Sequence, residues 1–194
     1  GAYSPAPVVT PELHAKVMKE VIKPVLNGMK DAGTPFVGFL YAGLMIASDQ
    51  TIKVLEFNCR LGDPETQPIM MRLKSDLVTL VEHALMGTLN KVESSWDLRT
   101  ALGIVLAAKG YPQSPRKGDV VIIPPQDNAD VHVFHAGTAL IDNQLVTNGG
   151  RVLCVTALGE NAIKARDLAL ETSDRISFAD KQYRTDIGYR ATKN

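Results

Sequence analysis

Cysteine is nearly missing from this chain: Cys59 and Cys154 are the only two in 194 residues, and no C-x-x-C spacing joins them. A disulfide framework is therefore excluded as the basis of the fold, and a reducing compartment, the cytoplasm, is the expected address. An excess of either charge is missing as well. Lys plus Arg and Asp plus Glu both number 21, so the total advertises neither a nucleic-acid-binding patch nor a polybasic membrane anchor. Long apolar runs are absent although hydrophobic residues make up 45% of the chain, and no membrane-spanning segment is expected. No repeat, low-complexity tract, signal peptide or transit peptide is visible. The opening Gly1-Ala2-Tyr3-Ser4-Pro5-Ala6-Pro7 carries no initiator Met and reads like the middle of something longer, a fragment or a processed chain.

What is present suffices for one domain or two small ones. Thr10-Pro11-Glu12 predicts a helix start, with Thr as N-cap and Pro in the first turn. Leu13, Val17, Val21, Val25 and Met29 recur at spacing four, and Pro24 is expected to kink or break the helix they define. Phe36 to Ile46 and Thr51 to Cys59 read as strands joined by a hairpin-length loop. Pro68 to Leu89 is helical in pattern, with a possible restart at Ser75-Asp76. A boundary falls near Glu93, dividing the chain into residues 1–93 and 94–194. Beyond it, Ala101 to Ala108, Val131 to Ala136, Gln144 to Thr147 and Arg151 to Thr156 read as strands. Asn148-Gly149 is the strongest hairpin-turn signal, because both residues tolerate positive φ. Asn161 to Ile176 is an amphipathic helix.

The chemistry concentrates in Ile52 to Gln67, I-K-V-L-E-F-N-C-R-L-G-D-P-E-T-Q. Strand alternation places Ile52, Val54, Glu56, Asn58 and Arg60 on one face and Lys53, Leu55, Phe57 and Cys59 on the other, the latter toward a core. A carboxylate, an amide oxygen and a guanidinium then stand in one row beside the turn Leu61-Gly62-Asp63-Pro64. Carboxylate and amide oxygens are hard donors suited to Mg²⁺, which takes one or two protein oxygens and completes its shell with phosphates and water. Elsewhere, His132 and His135 have a zinc-like spacing that suits a helix, but on the strand predicted there they fall on opposite faces and read as sheet packing. Met70 and Met71 read as core.

With Gly1-Ala2-Tyr3-Ser4-Pro5 and Gly38-Phe39-Leu40-Tyr41-Ala42-Gly43 before it, the run from Glu56 to Gln67 resembles the glycinamide ribonucleotide synthetases, the phosphoribosylamine-glycine ligase family of the ATP-grasp superfamily. Phe134-His135-Ala136-Gly137-Thr138, Thr147-Asn148-Gly149-Gly150-Arg151 and Arg184-Thr185-Asp186-Ile187-Gly188 resemble the C-terminal domain of the same family. The resemblance implies an α+β fold: the C-terminal half of an ATP-grasp domain, an antiparallel sheet with packed helices, followed by a small α+β domain. It also implies an activity, ligation of glycine to 5-phosphoribosylamine through a glycyl phosphate at the expense of ATP, in purine biosynthesis.

Residue by residue, the resemblance makes Glu56 and Asn58 ligands of Mg²⁺ or Mn²⁺ bridging to the ATP phosphates. Arg60 becomes the arginine beside the transferred phosphoryl group or the acyl-phosphate intermediate. Asp63, Glu65 and Gln67 face the substrate pocket, and Gly1, Ala2, Tyr3, Ser4 and Pro5 match the end of a glycine-rich loop near the amino-acid and ribosylamine sites. Met45 is placed to floor the adenine. Arg151 and Arg184 either reach a substrate phosphate or anchor their own turns. The family's nucleotide-clasping half, with its phosphate-binding lysine, has no counterpart in these residues, so the chain alone is expected to be inactive and to need that N-terminal half as partner. The alternative is a noncatalytic remnant that packs against another protein.

Overall fold

The computed structural model describes residues 1–192. Along the chain the elements are β1 (Ala2–Ser4), α1 (Pro11–Val17), α2 (Lys23–Asp31), β2 (Tyr41–Ile46), β3 (Ile52–Asn58), α3 (Thr66–Arg72) and α4 (Leu77–Leu85). There follow β4 (Thr100–Ala107), β5 (Val131–His135), β6 (Thr138–Ile141), β7 (Gln144–Thr147), β8 (Arg151–Gly159) and α5 (Ala162–Arg175). They gather into two compact units that interleave along the chain. The smaller holds Ala6–Gly62 and Lys74–Ser95; the larger holds Gly1–Pro5, Asp63–Leu73 and everything from Trp96. Two short N-terminal stretches, Gly1–Pro5 and Asp63–Leu73, thus pack with the residues of the C-terminal half. No helix among the described residues is long and apolar enough to cross a membrane.

The larger unit is built on an antiparallel sheet of order β1-β4-β8-β5. Its register opposes Leu102 to Ala157, Ile104 to Val155 and Leu106 to Leu153, so these six share one face. That face joins Ala165, Ala169 and Ile176 in the main core, all fully buried. The opposite face carries Gly103, Val105, Cys154 and Thr156. A Cβ at Gly103 would lie 3.0 Å from Cys154 Sγ and 3.4 Å from Pro68 Cγ, which places α3 on this side. Val152, Leu153, Cys154 and Val155 are all sealed from solvent because β8 is covered on both faces, and this explains its continuous apolar run.

Helix α5 begins where the sequence indicates: the Asn161 side chain accepts from Lys164 N at 3.0 Å. Replacing Asn161 with Ala is expected to cost about 0.5–2 kcal/mol by leaving that amide uncapped, which urea unfolding monitored by circular dichroism measures directly. At the other end, Lys181 Nζ donates to the carbonyls of Ser173 and Ile176, at 2.6 and 2.5 Å, and burial pushes its pKa down.

In the smaller unit, β2 and β3 form an antiparallel hairpin beside helices whose buried members are Leu13 and Val21. Pro24 does not end its helix. The turn before it, Met18–Ile22, is π-helical, and the helix continues through Asp31. A widened turn accommodates both the missing N–H and the ring. The expected strand from Phe36 shortens to Tyr41–Ile46, since Gly38 at φ 143° interrupts its first half. The long helix expected over Pro68 to Leu89 is two: Leu73 is extended, and Asp76, accepting from Thr79 N at 2.7 Å, starts α4.

Two further expectations are corrected. The hairpin turn of the C-terminal unit is Asp142-Asn143, at φ 47° and 61°, between β6 and β7; β6 was not legible as a strand. Asn148-Gly149 instead links β7 to β8, which do not pair, and Gly149 does not have positive φ. Cys59 is exposed rather than core-facing, while Cys154 is buried, which pushes its thiol pKa up.

Candidate functional site

The hairpin carries the candidate metal edge. Tyr41 stands opposite Asn58, Ala42 opposite Phe57 and Gly43 opposite Glu56, but Leu44 stands opposite Val54, so Leu55 is an extra residue in β3. Such a bulge shifts the alternation by one position. Directly opposed residues share a face, which groups Tyr41, Gly43, Met45, Lys53, Glu56 and Asn58 on one side. Ala42, Leu44, Ile46, Ile52, Val54 and Phe57 occupy the other. The simple alternation that put Ile52 and Val54 in the row of Glu56 is therefore corrected. The bulge separates the polar and apolar residues of the hairpin almost completely.

Gly43 makes room for the carboxylate's stem: a Cβ there would come within 3.1 Å of Glu56 Cγ. Glu56 is exposed and Asn58 half-buried. Arg60 lies past the end of β3, where its Nη2 reaches Asn58 Oδ1 at 3.4 Å and its Nη1 donates to Leu61 O at 3.0 Å. Met45 shares the face of Glu56 and Asn58 and is exposed. No group of three or more His, Cys, Asp and Glu side chains able to hold a metal forms among the described residues. A cation at this edge would thus draw two oxygens from the hairpin, Glu56 and Asn58. That donor set fits Mg²⁺ or Mn²⁺ sharing its shell with phosphates and water. His132 and His135 do not meet: the first packs edgewise on Phe134, and the second bonds through Nδ1 to Thr138 Oγ1 at 3.1 Å.

The remaining candidates lie in the larger unit. Ala2–Ser4 is an edge strand on β4 and not a loop. A Cβ at Gly1 would strike Gly103 O at 2.5 Å, so only glycine allows that approach. Tyr3 packs against the core, and Ser4 Oγ accepts from Arg72 Nη1 at 2.8 Å. Pro5 follows Ser4 through a cis bond. Asp63 is held by Arg151, whose Nη1 donates to its backbone carbonyl at 2.8 Å and lies 3.2 Å from its carboxylate. Glu65 caps α3 in position though not by its side chain, and Gln67 follows in the first turn. The Oε1 of Gln67 is buried without a hydrogen-bond partner among the described residues. A buried acceptor in that condition is costly to leave empty.

A cleft of about 460 Å³ opens in this unit. Gly1 and Asp63 line it, as do Arg151 and Arg184 from the family-like motifs. Tyr111 and Gln182 also line it and were missed in the sequence. The Tyr111 hydroxyl accepts from Arg151 Nε at 2.8 Å; that bond, then the Asp63 charge, pushes the guanidinium pKa up. Asp186 does the same to Arg184.

The fold is that of part of an ATP-grasp protein. N5-carboxyaminoimidazole ribonucleotide synthetase from Thermotoga maritima matches 91% of the chain at 15% identity and a TM-score of 0.62. Biotin carboxylase from Campylobacter jejuni, in a complex with an ATP analogue, matches 99% at 13% and 0.66; likenesses this remote speak for the fold alone.

The chain belongs to the phosphoribosylglycinamide synthetase family. That family's ATP-grasp (A) domain matches residues 1–66 and its C domain residues 101–190. The phosphoribosylamine–glycine ligase of Haemophilus influenzae is 58% identical over the whole chain, and that of Ralstonia nicotianae 55%. A crystal structure of the Thermotoga maritima phosphoribosylamine–glycine ligase matches 95% of the chain at 38% identity with a TM-score of 0.81. The chain spans about 45% of the length of these relatives.

Proposed function

We propose that the chain is the metal-bearing edge and C-terminal domain of a ligase that joins glycine to 5-phosphoribosylamine with consumption of ATP. The observation that carries this reading is the bulged register of the hairpin, which sets Glu56, Asn58 and Met45 on one polar face. In the reaction, a glycine carboxylate oxygen takes the terminal phosphoryl group of ATP, and ADP leaves. The ribosylamine nitrogen then adds to the glycyl carbonyl, loses its proton, and inorganic phosphate departs with the C–O bond electrons. Bound magnesium or manganese supplies charge neutralisation at the ATP phosphates.

In this reading Glu56 and Asn58 hold the cation, and Arg60, steadied by Asn58 and the Leu61 carbonyl, offers its remaining donors to the transferred phosphoryl group. Met45 lies under the adenine. Gln67 Oε1 is an acceptor suited to an ammonium or amine, and Asp63 and Glu65 border the same substrate region. The purine-pathway setting and the two unpaired cysteines favour the cytoplasm.

Partnership with the remaining part of the enzyme follows from the smaller unit. Among the described residues β2 and β3 pair only with each other, and Val54, Leu55 and Phe57 are exposed. A two-stranded sheet is marginal by itself in water. Two protein oxygens also do not suffice to seat a nucleotide. Incubated with ATP, glycine, Mg²⁺ and freshly generated phosphoribosylamine, the purified 194-residue chain is expected to release no glycine-dependent phosphate. Turnover by the chain alone would overturn the division of labour proposed here.

A further inference from the structure

A second pocket, of about 450 Å³, opens in the C-terminal unit between residues 126–129, which lead toward β5, and the second half of α5. Gln126, Asp127 and Ala129 line it from the loop, and Leu168, Glu171 and Arg175 from the helix. It shares no residue with the cleft of Arg151, whose wall residue Val105 lies on the sheet face opposite the one that packs on α5. Both walls are held in place. Asn128 fixes the loop, its side chain accepting from Asp130 N at 2.9 Å and its carbonyl from Val131 N at 3.1 Å. Ala169, Thr172 and Ser173 anchor the helix in the interior.

The polar groups on these walls, by contrast, lack partners. Nε2 of Gln126 is buried and makes no hydrogen bond among the described residues, a condition that costs free energy until an acceptor arrives. The terminal torsion of the side chain is soft, so the amide turns readily to meet one. The side chains of Asp127, Glu171 and Arg175 likewise form no ion pair or hydrogen bond among the described residues. Glu171 and Arg175 stand four residues apart on one helix, a spacing at which opposite charges ordinarily pair. Here that pair is not made.

Charge and size narrow what would satisfy these groups. A simple carboxylate would answer Arg175 and Gln126 but would also face the carboxylates of Asp127 and Glu171. A simple amine would leave the guanidinium and the amide empty. A zwitterion matches donors and acceptors together. The volume lies in the range of small-ligand sites, ~300–1,000 Å³, and leaves room for more than a charged head. Leu168 and Ala129 make the remaining surroundings apolar.

We propose that this pocket binds a free α-amino acid with an aliphatic side chain, its carboxylate on Arg175 and the Gln126 amide, its ammonium on Glu171 and Asp127. The side chain lies against Leu168 and Ala129. Binding needs neither ATP nor metal, and it is independent of the ligase reading because the pocket includes no residue of the hairpin or of the cleft of Arg151.

Calorimetric titration of the 194-residue chain with L-leucine tests it, beside three analogues that each lack one part. 4-Methylpentanoate lacks the ammonium, 3-methylbutylamine the carboxylate, and glycine the side chain. Leucine should bind at least about tenfold more tightly than any of them. Arg175→Gln and Glu171→Gln, both at exposed positions, should each weaken leucine binding by about tenfold, whereas Lys164→Gln, on α5 outside the pocket, should leave it unchanged. Gln126→Leu gives a second readout. Removal of an amide that held the fold together would lower Tm, but removal of one without a partner should leave the Tm of the free chain unchanged or raised while leucine binding falls by about tenfold.

Absence of leucine binding, or binding matched by any of the analogues, would overturn the assignment. So would leucine affinity indifferent to Arg175→Gln and Glu171→Gln, or a Gln126→Leu variant that loses Tm and keeps its affinity.

Discussion

Glu56→Gln in the complete ligase lowers kcat by on the order of 10²-fold or more while thermal stability stays unchanged. The substitution is isosteric, so the hairpin keeps its register and the side chain still rises over Gly43. Only the negative charge is lost. Because Glu56 is exposed and on the polar side of the bulge, its replacement uncovers no core and strands no buried partner. With two hairpin oxygens in the donor set, however, loss of the anionic one leaves a neutral pair of amides facing a divalent cation. Steady-state kinetics across a Mg²⁺ series separates the effects: the variant should need more metal and still fall short of the wild-type rate at saturation. Glu82→Gln on α4, another exposed carboxylate, serves as control. Near-normal turnover of the Glu56 variant at ordinary metal concentrations would refute its assignment as a ligand.

Much of this arrangement is legible in the chain, because it depends on local chemistry. Asn161 and Thr10 announce helix starts through their side-chain oxygens, and the apolar residues of Arg151 to Thr156 announce a strand. The proposed metal edge is legible only through the whole run from Glu56 to Gln67, since an isolated E-x-N spacing is a weak signal. The bulge at Leu55 was invisible, since a leucine in an apolar run carries no mark of being the extra residue; only the partner strand reveals it. The turn signals misled for a related reason. Asp142-Asn143 looks weaker than Asn148-Gly149, yet it takes the positive φ angles. Gly149 is needed for a different purpose: a Cβ there would lie 3.0 Å from Gly137 Cα, so two backbones meet at that point. The cleft was beyond reach altogether. Tyr111 and Arg151 are 40 positions apart, Asp63 and Arg151 are 88 apart, and no period or motif links them.

Gly150→Ala tests how those distant residues are packed together. Gly150 does not have positive φ, so alanine meets no backbone penalty there. The conflict is steric: a Cβ would sit 2.3 Å from Cδ2 and 2.9 Å from Cε2 of the Tyr111 ring. Backbone movement is opposed by the bond from Ala108 N to Gly150 O, 2.9 Å, so the ring must give way. Overpacking of this kind costs about 1–3 kcal/mol, which in a chain of this length lowers Tm by several degrees.

Displacing the ring also moves the hydroxyl that holds Arg151 Nε, and the guanidinium loses one of its two anchors. Tyr111→Phe separates the two effects. It removes the hydroxyl bonded to Arg151 Nε but keeps the ring, and should lower Tm by less than Gly150→Ala does. If Gly150→Ala leaves Tm unchanged, the Tyr111 ring is not held against Gly150.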